Sequence, residues 1–484
     1  MRRIAKHVAL FFALVPLVVL SFAGPTRAQT GVTTHAGTLK DGATYLIEVP
    51  SNWNGTLFLY SHGYVVPGTP NPAQDVGDPF TRFFMLSSGY ALAGSSYATT
   101  GWAIHEALQD QIAVLEVFEK TFQRPKRTIA WGHSLGGIIT AGLIQRNPER
   151  FVAALPMCGV LSGGVATWNT ALDAVFAFKT LLAPGTGLQL VNIADPVANL
   201  NVAEIALAEA QATPQGQARI ALVGAMGDLP GWFTPLSPEP ATTDFAEQEF
   251  NQFQWDQQVD FPFAFAFRAE LEARAQGNVS WNTGVDYRRQ LERSIGRNQV
   301  RALYEAAGLD LDADLKLLNE TARISADPEA VRYLERNIIF DGEIHIPVLT
   351  LHTKGDGLVV VQNESAYKKV VDEEGNGEFL RRTFVDRAGH CTFTPAETIA
   401  AVETLVHRLD TGRWDNVDAS DLNKAAVALG PGFNIFGTQQ GIVSVPPAYI
   451  EFHPSRYLRP FDAATEECEV GFLCGDPFSP FGEH

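Results

Sequence analysis

The chain has 484 residues, of which 46% are hydrophobic and 19% charged, and carries a formal charge of −18. This length suits one catalytic domain with insertions, and the composition excludes the disordered, fibrous and polytopic membrane classes. The acidic balance excludes a polyanionic partner, since counterion release needs clustered Lys and Arg, so no nucleic acid binding is expected.

At the N-terminus, Arg2, Arg3 and Lys6 precede an apolar run from Val8 to Ala23, followed by Gly24-Pro25-Thr26-Arg27-Ala28. The run is shorter than the roughly 20 residues that a spanning helix needs. Small residues at Thr26 and Ala28 suit cleavage before Gln29, so residues 1–28 read as a secretory signal peptide. No later stretch is apolar for long enough to cross a bilayer. The expected product is secreted or periplasmic, with no stable membrane anchor after signal removal.

The alternating Ala43–Val49 and the compact run Gly55–Tyr60, which opens into Ser61-His62-Gly63, predict strands, as does Tyr90–Ser95. Glu106–Phe122 carries Ile112, Leu115, Val117 and Phe118 at helical spacing and stops at Arg124-Pro125. A strand at Thr128–Trp131, a helix at Gly137–Arg146 and an extended run at Phe151–Met157 follow. This alternation implies a mainly parallel sheet with helices on both faces.

From 159 to 340 the rhythm changes to helical stretches such as Val202–Ala212, Phe267–Ala275, Tyr287–Ala307 and Pro328–Glu335, read as an inserted helical cap. The sheet pattern resumes at Pro347–His352 and Arg382–Val385, with the helix Pro395–Leu409 after it. The expected division is a core in two parts, 29–158 and 341–412, around the insertion, with 413–484 as a C-terminal extension of weak periodicity.

Four cysteines in an exported chain predict two disulfides. Cys468 and Cys474 close a short loop worth roughly 2 kcal/mol in the chain-entropy model, which leaves Cys158 with Cys391 by elimination. No Cys-x-x-Cys set with partner ligands supports zinc, and no metal or other cofactor is expected.

Gly132-His133-Ser134-Leu135-Gly136 matches G-x-S-x-G and lies between a strand and a helix. A sharp strand-to-helix turn strains the serine backbone, and glycines two before and two after it avoid collision. By chance roughly one chain of this composition in seven carries such a pentapeptide, so its flanking elements decide the reading. With His62-Gly63-Tyr64 and the pair Gly355-Asp356 and Gly389-His390, the chain resembles the α/β-hydrolase superfamily, and within it secreted lipases and esterases.

The resemblance implies the α/β-hydrolase fold and a triad in the order Ser134, Asp356, His390. A serine hydroxyl needs an imidazole to take its proton, and the imidazole needs a carboxylate to hold its tautomer. His390 follows a late strand, whereas His352 lies within a strand, His407 on a helix and His453 in the tail. Asp356 turns immediately after the Val348–Thr353 strand, whereas Asp341 precedes that strand and Asp386 sits in the loop of His390 itself. The amides of Leu135 and Tyr64 occupy the places of the oxyanion hole.

The expected activity is hydrolysis of a small-molecule or oligomeric carboxylic ester through an acyl-enzyme. The alternatives are an exopeptidase or amidase, with Glu270, Glu272 or Asp286 receiving the substrate amine, and a non-catalytic binding protein on the same scaffold. Trp168, Trp232, Phe233, Phe253, Trp255, Phe261, Phe263, Phe265 and Phe267 are candidates to line an apolar pocket. The last four alternate, and an extended segment would put their rings on one face.

Overall fold

The computed structural model describes residues 31–438 and 441–461. The signal-peptide reading and the Cys468–Cys474 pairing lie outside these residues. Nine strands form one sheet: β1 Val32–Thr38, β2 Thr44–Pro50, β3 Thr56–Ser61, β4 Ala91–Ser95, β5 Arg127–His133, β6 Ala153–Met157, β7 Val348–Gly355, β8 Leu380–Ala388 and a terminal β11 Tyr449–Ile450. Between the last two, β9 Ile435–Thr438 and β10 Gly441–Ser444 make a separate hairpin. The order across the sheet is β1-β2-β4-β3-β5-β6-β7-β8-β11. The pairs from β4 to β8 are parallel, and antiparallel strands β1, β2 and β11 close the two sides.

The central strands are apolar without a period because both faces are covered. Leu57, Leu59 and Ala130 point to the core shared with Leu108, Leu115, Phe118 and Ile139 of the helices Ile104–Thr121 and Leu135–Arg146. Their neighbours Phe58, Tyr60, Ile129 and Trp131 point to the opposite core, with Met85, Ala400 and Leu405 of the helices Pro79–Ser87 and Pro395–Thr411. This is the mainly parallel sheet with helices on both faces that the strand and helix order implied, and the α/β-hydrolase arrangement that the resemblance implied.

β6 and β7 are neighbours in the sheet, yet the chain between them runs through helices from Gly164–Leu182 to Pro328–Asn337. These helices build an apolar core of their own, which includes Phe178, Leu207, Leu222, Phe265 and Tyr304. The expected single helix Tyr287–Ala307 is two, Tyr287–Arg293 and Arg297–Ala307. The buried carboxylate of Asp228 accepts from Ser294 Oγ and the Ile295 amide at the break, drawing the chain out of helical register.

The alternating phenylalanines are helical and not extended, with a π-helical turn over Phe263–Phe267. Their rings therefore divide between two faces. Phe261 and Phe265 pack on each other and on Phe178 in the helical core. Phe263 and Phe267 pack on Tyr64.

The described part of the extension is tied to the sheet and to the insertion. β11 pairs with β8, Tyr449 Oη donates to the Glu397 carbonyl at 2.6 Å, and Arg459 reaches buried Asp173 at 3.0 Å. Among the described residues no helix is long and apolar enough to cross a membrane.

The two faces of the phenylalanine helix separate stability from the site. Phe265→Ala is expected to cost about 3–5 kcal/mol in urea unfolding, as for a large ring removed from a packed core. Phe263→Ala, half-buried, is expected to cost less than half of that.

Candidate active site

β5 ends at His133, and Ser134 turns the chain with φ 58° and ψ −122° into the helix Leu135–Arg146. A left-handed φ at a residue with a Cβ is strained, and the surroundings hold it there. The Ser134 amide donates to the Met157 carbonyl at 3.0 Å, at the end of neighbouring β6. A Cβ at either Gly132 or Gly136 would run into the Ser61 carbonyl oxygen at the end of β3. Gly63 lies against the serine itself, so that a Cβ there would be 3.3 Å from the Ser134 Cβ. Tyr64, Ser134 and Leu135 line one cavity.

The structure brings the three residues of the expected triad together. His390 Nε2 is 2.7 Å from Ser134 Oγ, and its Nδ1 is 2.7 Å from Asp356 Oδ2. Asp356 stands just beyond β7 and is fully buried; its Oδ1 accepts from the Val359 amide at 2.9 Å. Asp341 lies before β7, and Asp386, on β8, pairs with Lys354. His407 lies beside Asp415 on the helix Pro395–Thr411.

His352 has a different place from the other rival histidines. It is fully buried behind Asp356, with Nε2 2.8 Å from the Val359 carbonyl and 3.6 Å from Asp356 Oδ2. Its Nδ1 is 3.1 Å from Glu364 Oε1, and Glu364 Oε2 accepts from Thr350 Oγ1 at 2.6 Å. Both ring nitrogens face oxygen acceptors, so both are placed to donate, as in a doubly protonated ring. Burial alone would lower the imidazole, but the hydrogen bonds and charges of Asp356 and Glu364 outweigh it and push it up to about 10.

Asp356 is held in its charged form by the same balance. Burial alone would raise its carboxyl, but the charge of His390, its hydrogen bond at 2.7 Å and the proximity of His352 hold it below the usual carboxylate range. His133, next to the serine, is brought down to about 4 by burial and by the proximity of His390, and its Nδ1 lies 3.1 Å from Tyr60 Oη.

Cys158 and Cys391 form a disulfide, as elimination suggested, with their Cα atoms 5.4 Å apart. Cys158 follows β6 directly after Met157, and Cys391 follows His390, so the bridge fastens the histidine loop to the strand that anchors the serine amide. The sulfurs lie near His390, but they are bonded to each other and offer no thiolate to a metal.

The cavity beside Ser134 measures about 140 Å³. Of the aromatic candidates, Trp168, Phe261 and Phe263 line it, whereas Trp232, Phe233 and Trp255 interlock beside it and Phe253 stacks on Phe250. Asp256, Asp260, Asn363 and Tyr457 also line it, and sequence reasoning singled out none of them. The three acids considered for an amine are engaged elsewhere. Glu270 accepts from the Trp102 amide and pairs with Arg274, Glu272 pairs with Arg268, and Asp286 caps the helix Tyr287–Arg293.

A model of the prolyl oligopeptidase family matches residues 95–180, from the end of β4 through the serine turn into the helix Gly164–Leu182. The o-phthalyl amidase of Xanthobacter agilis is 30% identical over an alignment of 436 residues that covers 83% of this chain and 92% of that protein. The chain belongs to its family. Among solved structures, the acylaminoacyl peptidase of Pyrococcus horikoshii is 10% identical, covering 82% of this chain and 44% of its own, with a TM-score of 0.39. This chain thus spans less than half of that peptidase. Feruloyl esterase B of Aspergillus oryzae is 13% identical, covering 80% of this chain and 81% of its own, also with a TM-score of 0.39. The protein is a serine hydrolase with the α/β-hydrolase fold.

The disulfide should matter to this hydrolase in two separable ways. In the chain-entropy model a loop of this length is worth about 5 kcal/mol. Replacing Cys158 and Cys391 by Ala together is expected to lower the melting temperature and to cut kcat about 10- to 100-fold at temperatures where circular dichroism still shows the native fold. An unchanged kcat in the folded double variant would show that the histidine loop holds its position without the bridge.

Proposed function

We propose that the protein hydrolyses amides of single-ring aromatic acids, and the corresponding esters, through an acyl-enzyme on Ser134. The observation that carries this reading is the Ser134–His390–Asp356 chain of 2.7 Å contacts opening on a small, mostly apolar cavity. Its volume of about 140 Å³ is close to the ~150 Å³ of an apolar cavity that takes up benzene. A benzoyl-type group fits such a space better than a long acyl chain. The relative whose printed name is o-phthalyl amidase supports both the aromatic acyl group and the amide bond.

In this mechanism His390 Nε2 takes the proton of Ser134 Oγ as the oxygen attacks the carbonyl carbon. Asp356 Oδ2 accepts from His390 Nδ1, fixes the tautomer and stabilises the imidazolium. The amides of Leu135 and Tyr64 bind the oxyanion. The C–N bond breaks as the imidazolium returns the proton to the departing amine, which leaves the acyl group on Ser134. Water then gives a proton to His390 and attacks the ester, and the imidazolium returns that proton to Ser134 Oγ as the acyl C–O bond breaks, releasing the acid and free serine. An ester follows the same route with an alcohol as the leaving group. Export to an oxidising compartment belongs to this reading, supported by the Cys158–Cys391 bridge.

Ser134→Ala is expected to lower kcat by at least about 10⁴-fold without changing the melting curve. Among p-nitroanilides and p-nitrophenyl esters, benzoyl derivatives are expected to exceed hexanoyl and longer acyl chains in kcat/KM. Preference for the long chains would sink the aromatic assignment while leaving the serine chemistry standing.

His352 acts here as a positioning residue that keeps Asp356 ionised and oriented. Its positive charge partly offsets that of Asp356, so its removal leaves the carboxylate freer to stabilise the His390 imidazolium. The sign follows: in His352→Gln the acid limb of the kcat/KM profile is expected to move to higher pH. A fall in kcat with the limb unmoved would mark the residue as merely structural.

A further inference from the structure

Asp256 and Asp260 lie one turn apart at the two ends of the π-helical turn Asp256–Asp260, and both line the cavity that holds Ser134. Asp256 is only 4% exposed, and Oδ2 of each carboxyl is buried without a hydrogen-bond partner among the described residues. The groups that face them are also acidic. Burial and then Glu249 raise Asp256 well above the usual carboxylate range, and burial, Asp256 and Asp356 do the same to Asp260. None of the described residues lining the cavity is Lys, Arg or His.

Asp75, Asp228 and Glu249 also carry a buried oxygen without a hydrogen-bond partner among the described residues, but none of them lines this cavity, and other buried acids are matched by a cation. Asp173 has Arg459, Glu272 has Arg268, and Glu397 has Arg387. An unmatched pair is costly, because a buried carboxyl without a partner loses its hydration and gains nothing in return. Its position at the reaction cavity points to a ligand as the missing partner.

Resting on the proposed cleavage at Ser134, we infer that Asp256 and Asp260 form a subsite for a basic nitrogen on the aromatic portion of the substrate. A primary ammonium carries three N–H donors and one positive charge. It can donate to both unpartnered oxygens at once and supply the cation that the cavity lacks. The rest of the lining, with Trp168, Phe261 and Val360 among it, receives the ring. The substrate class is then an aminoalkyl-substituted aromatic amide or ester, not an aromatic dicarboxylic one. The apolar wall and the acidic end together distinguish it from a plain benzoyl compound, which would leave both carboxyls unmatched.

The test uses binding to full-length Ser134→Ala protein, which separates this subsite from the chemistry. Benzylamine, benzyl alcohol and phenylacetate have similar bulk but differ in charge, and their dissociation constants are read by ligand-observed NMR at pH 7. Benzylamine is expected to bind at least about tenfold more tightly than benzyl alcohol, the scale of a hydrogen bond to a charged group, with phenylacetate weakest. The advantage should vanish in Asp256→Asn with Asp260→Asn, whose isosteric side chains are expected to leave the melting temperature unchanged or raised. Equal binding of the amine and the alcohol, or tighter binding of the carboxylate, would overturn the assignment whether or not the double variant folds. If instead none of the three ligands binds, while Ser134 proves essential for cleaving long-chain esters, the aromatic reading fails together with the subsite.

Discussion

The backbone of Ser134 is the constraint on which the site depends. Its left-handed φ of 58° costs of the order of 1–3 kcal/mol, and it persists because neighbouring backbone leaves no alternative. The carbonyl end of β3 touches the turn at Gly132 and Gly136, and the end of β6 accepts its amide. The residue after that acceptor, Cys158, carries the bridge to Cys391, and Cys391 adjoins His390. His390 is thus located relative to the serine through the disulfide and the end of β6. This explains how a large set of helices can sit between β6 and β7 without disturbing 2.7 Å contacts.

Two kinds of buried carboxyl meet near this turn, and they show how the protein distributes electrostatic cost. Asp356 is surrounded by His390, His352 and the Val359 amide, and Glu364 completes the set on the far side of His352. Charges of opposite sign so arranged favour one another in a medium where water contributes little screening. The arrangement holds the acid ionised at one fixed position. Asp256 and Asp260 have no such partners among the described residues, and the difference lies in which groups border the cavity. Matched charge surrounds Asp356, and unpartnered carboxyls face the cavity.

The meeting of Ser134, Asp356 and His390 was legible in the sequence because a serine, an acid and a histidine of the expected types stood in the expected order, and the flanking strands were strong patterns. Asp356 stood out from Asp341 and Asp386 by its place after an apolar strand, and the buried sheet explains why that strand had no period. The phenylalanine segment misled for a physical reason: Phe-x-Phe-x-Phe-x-Phe has the period of a strand, while its helical neighbours and packing on Phe178 and Tyr64 set its real conformation. The break at Ser294-Ile295-Gly296 depends on Asp228, some 66 residues earlier, which no local pattern can announce. β1 is an edge strand with mostly exposed side chains and so lacks a hydrophobic signature. Asp256 and Asp260 look like a solvated helix face in sequence, and only the cavity gives them significance. Tyr457 likewise gains its place from the route by which the tail returns to the insertion.

The cavity is bounded by parts of the chain under different constraints, and this bears on how its selectivity is set. Ser134 and Gly357 lie in turns beyond sheet strands and Leu135 opens the helix after the serine, where a shift would disturb the reacting groups. The opposite wall comes largely from the helix Gly164–Leu182, through Thr167, Trp168, Ala171 and Ala174. The other side of the same helix sets Leu172, Phe176 and Phe178 into the core of the insertion. Enlarging the cavity by moving this helix would open voids on its far side, at about the cost of a core truncation. Replacing Ala171 or Ala174 reshapes the cavity without moving the helix. Size selection in this hydrolase therefore resides in small side chains on a rigid helix, and charge selection in the π-helical turn facing it.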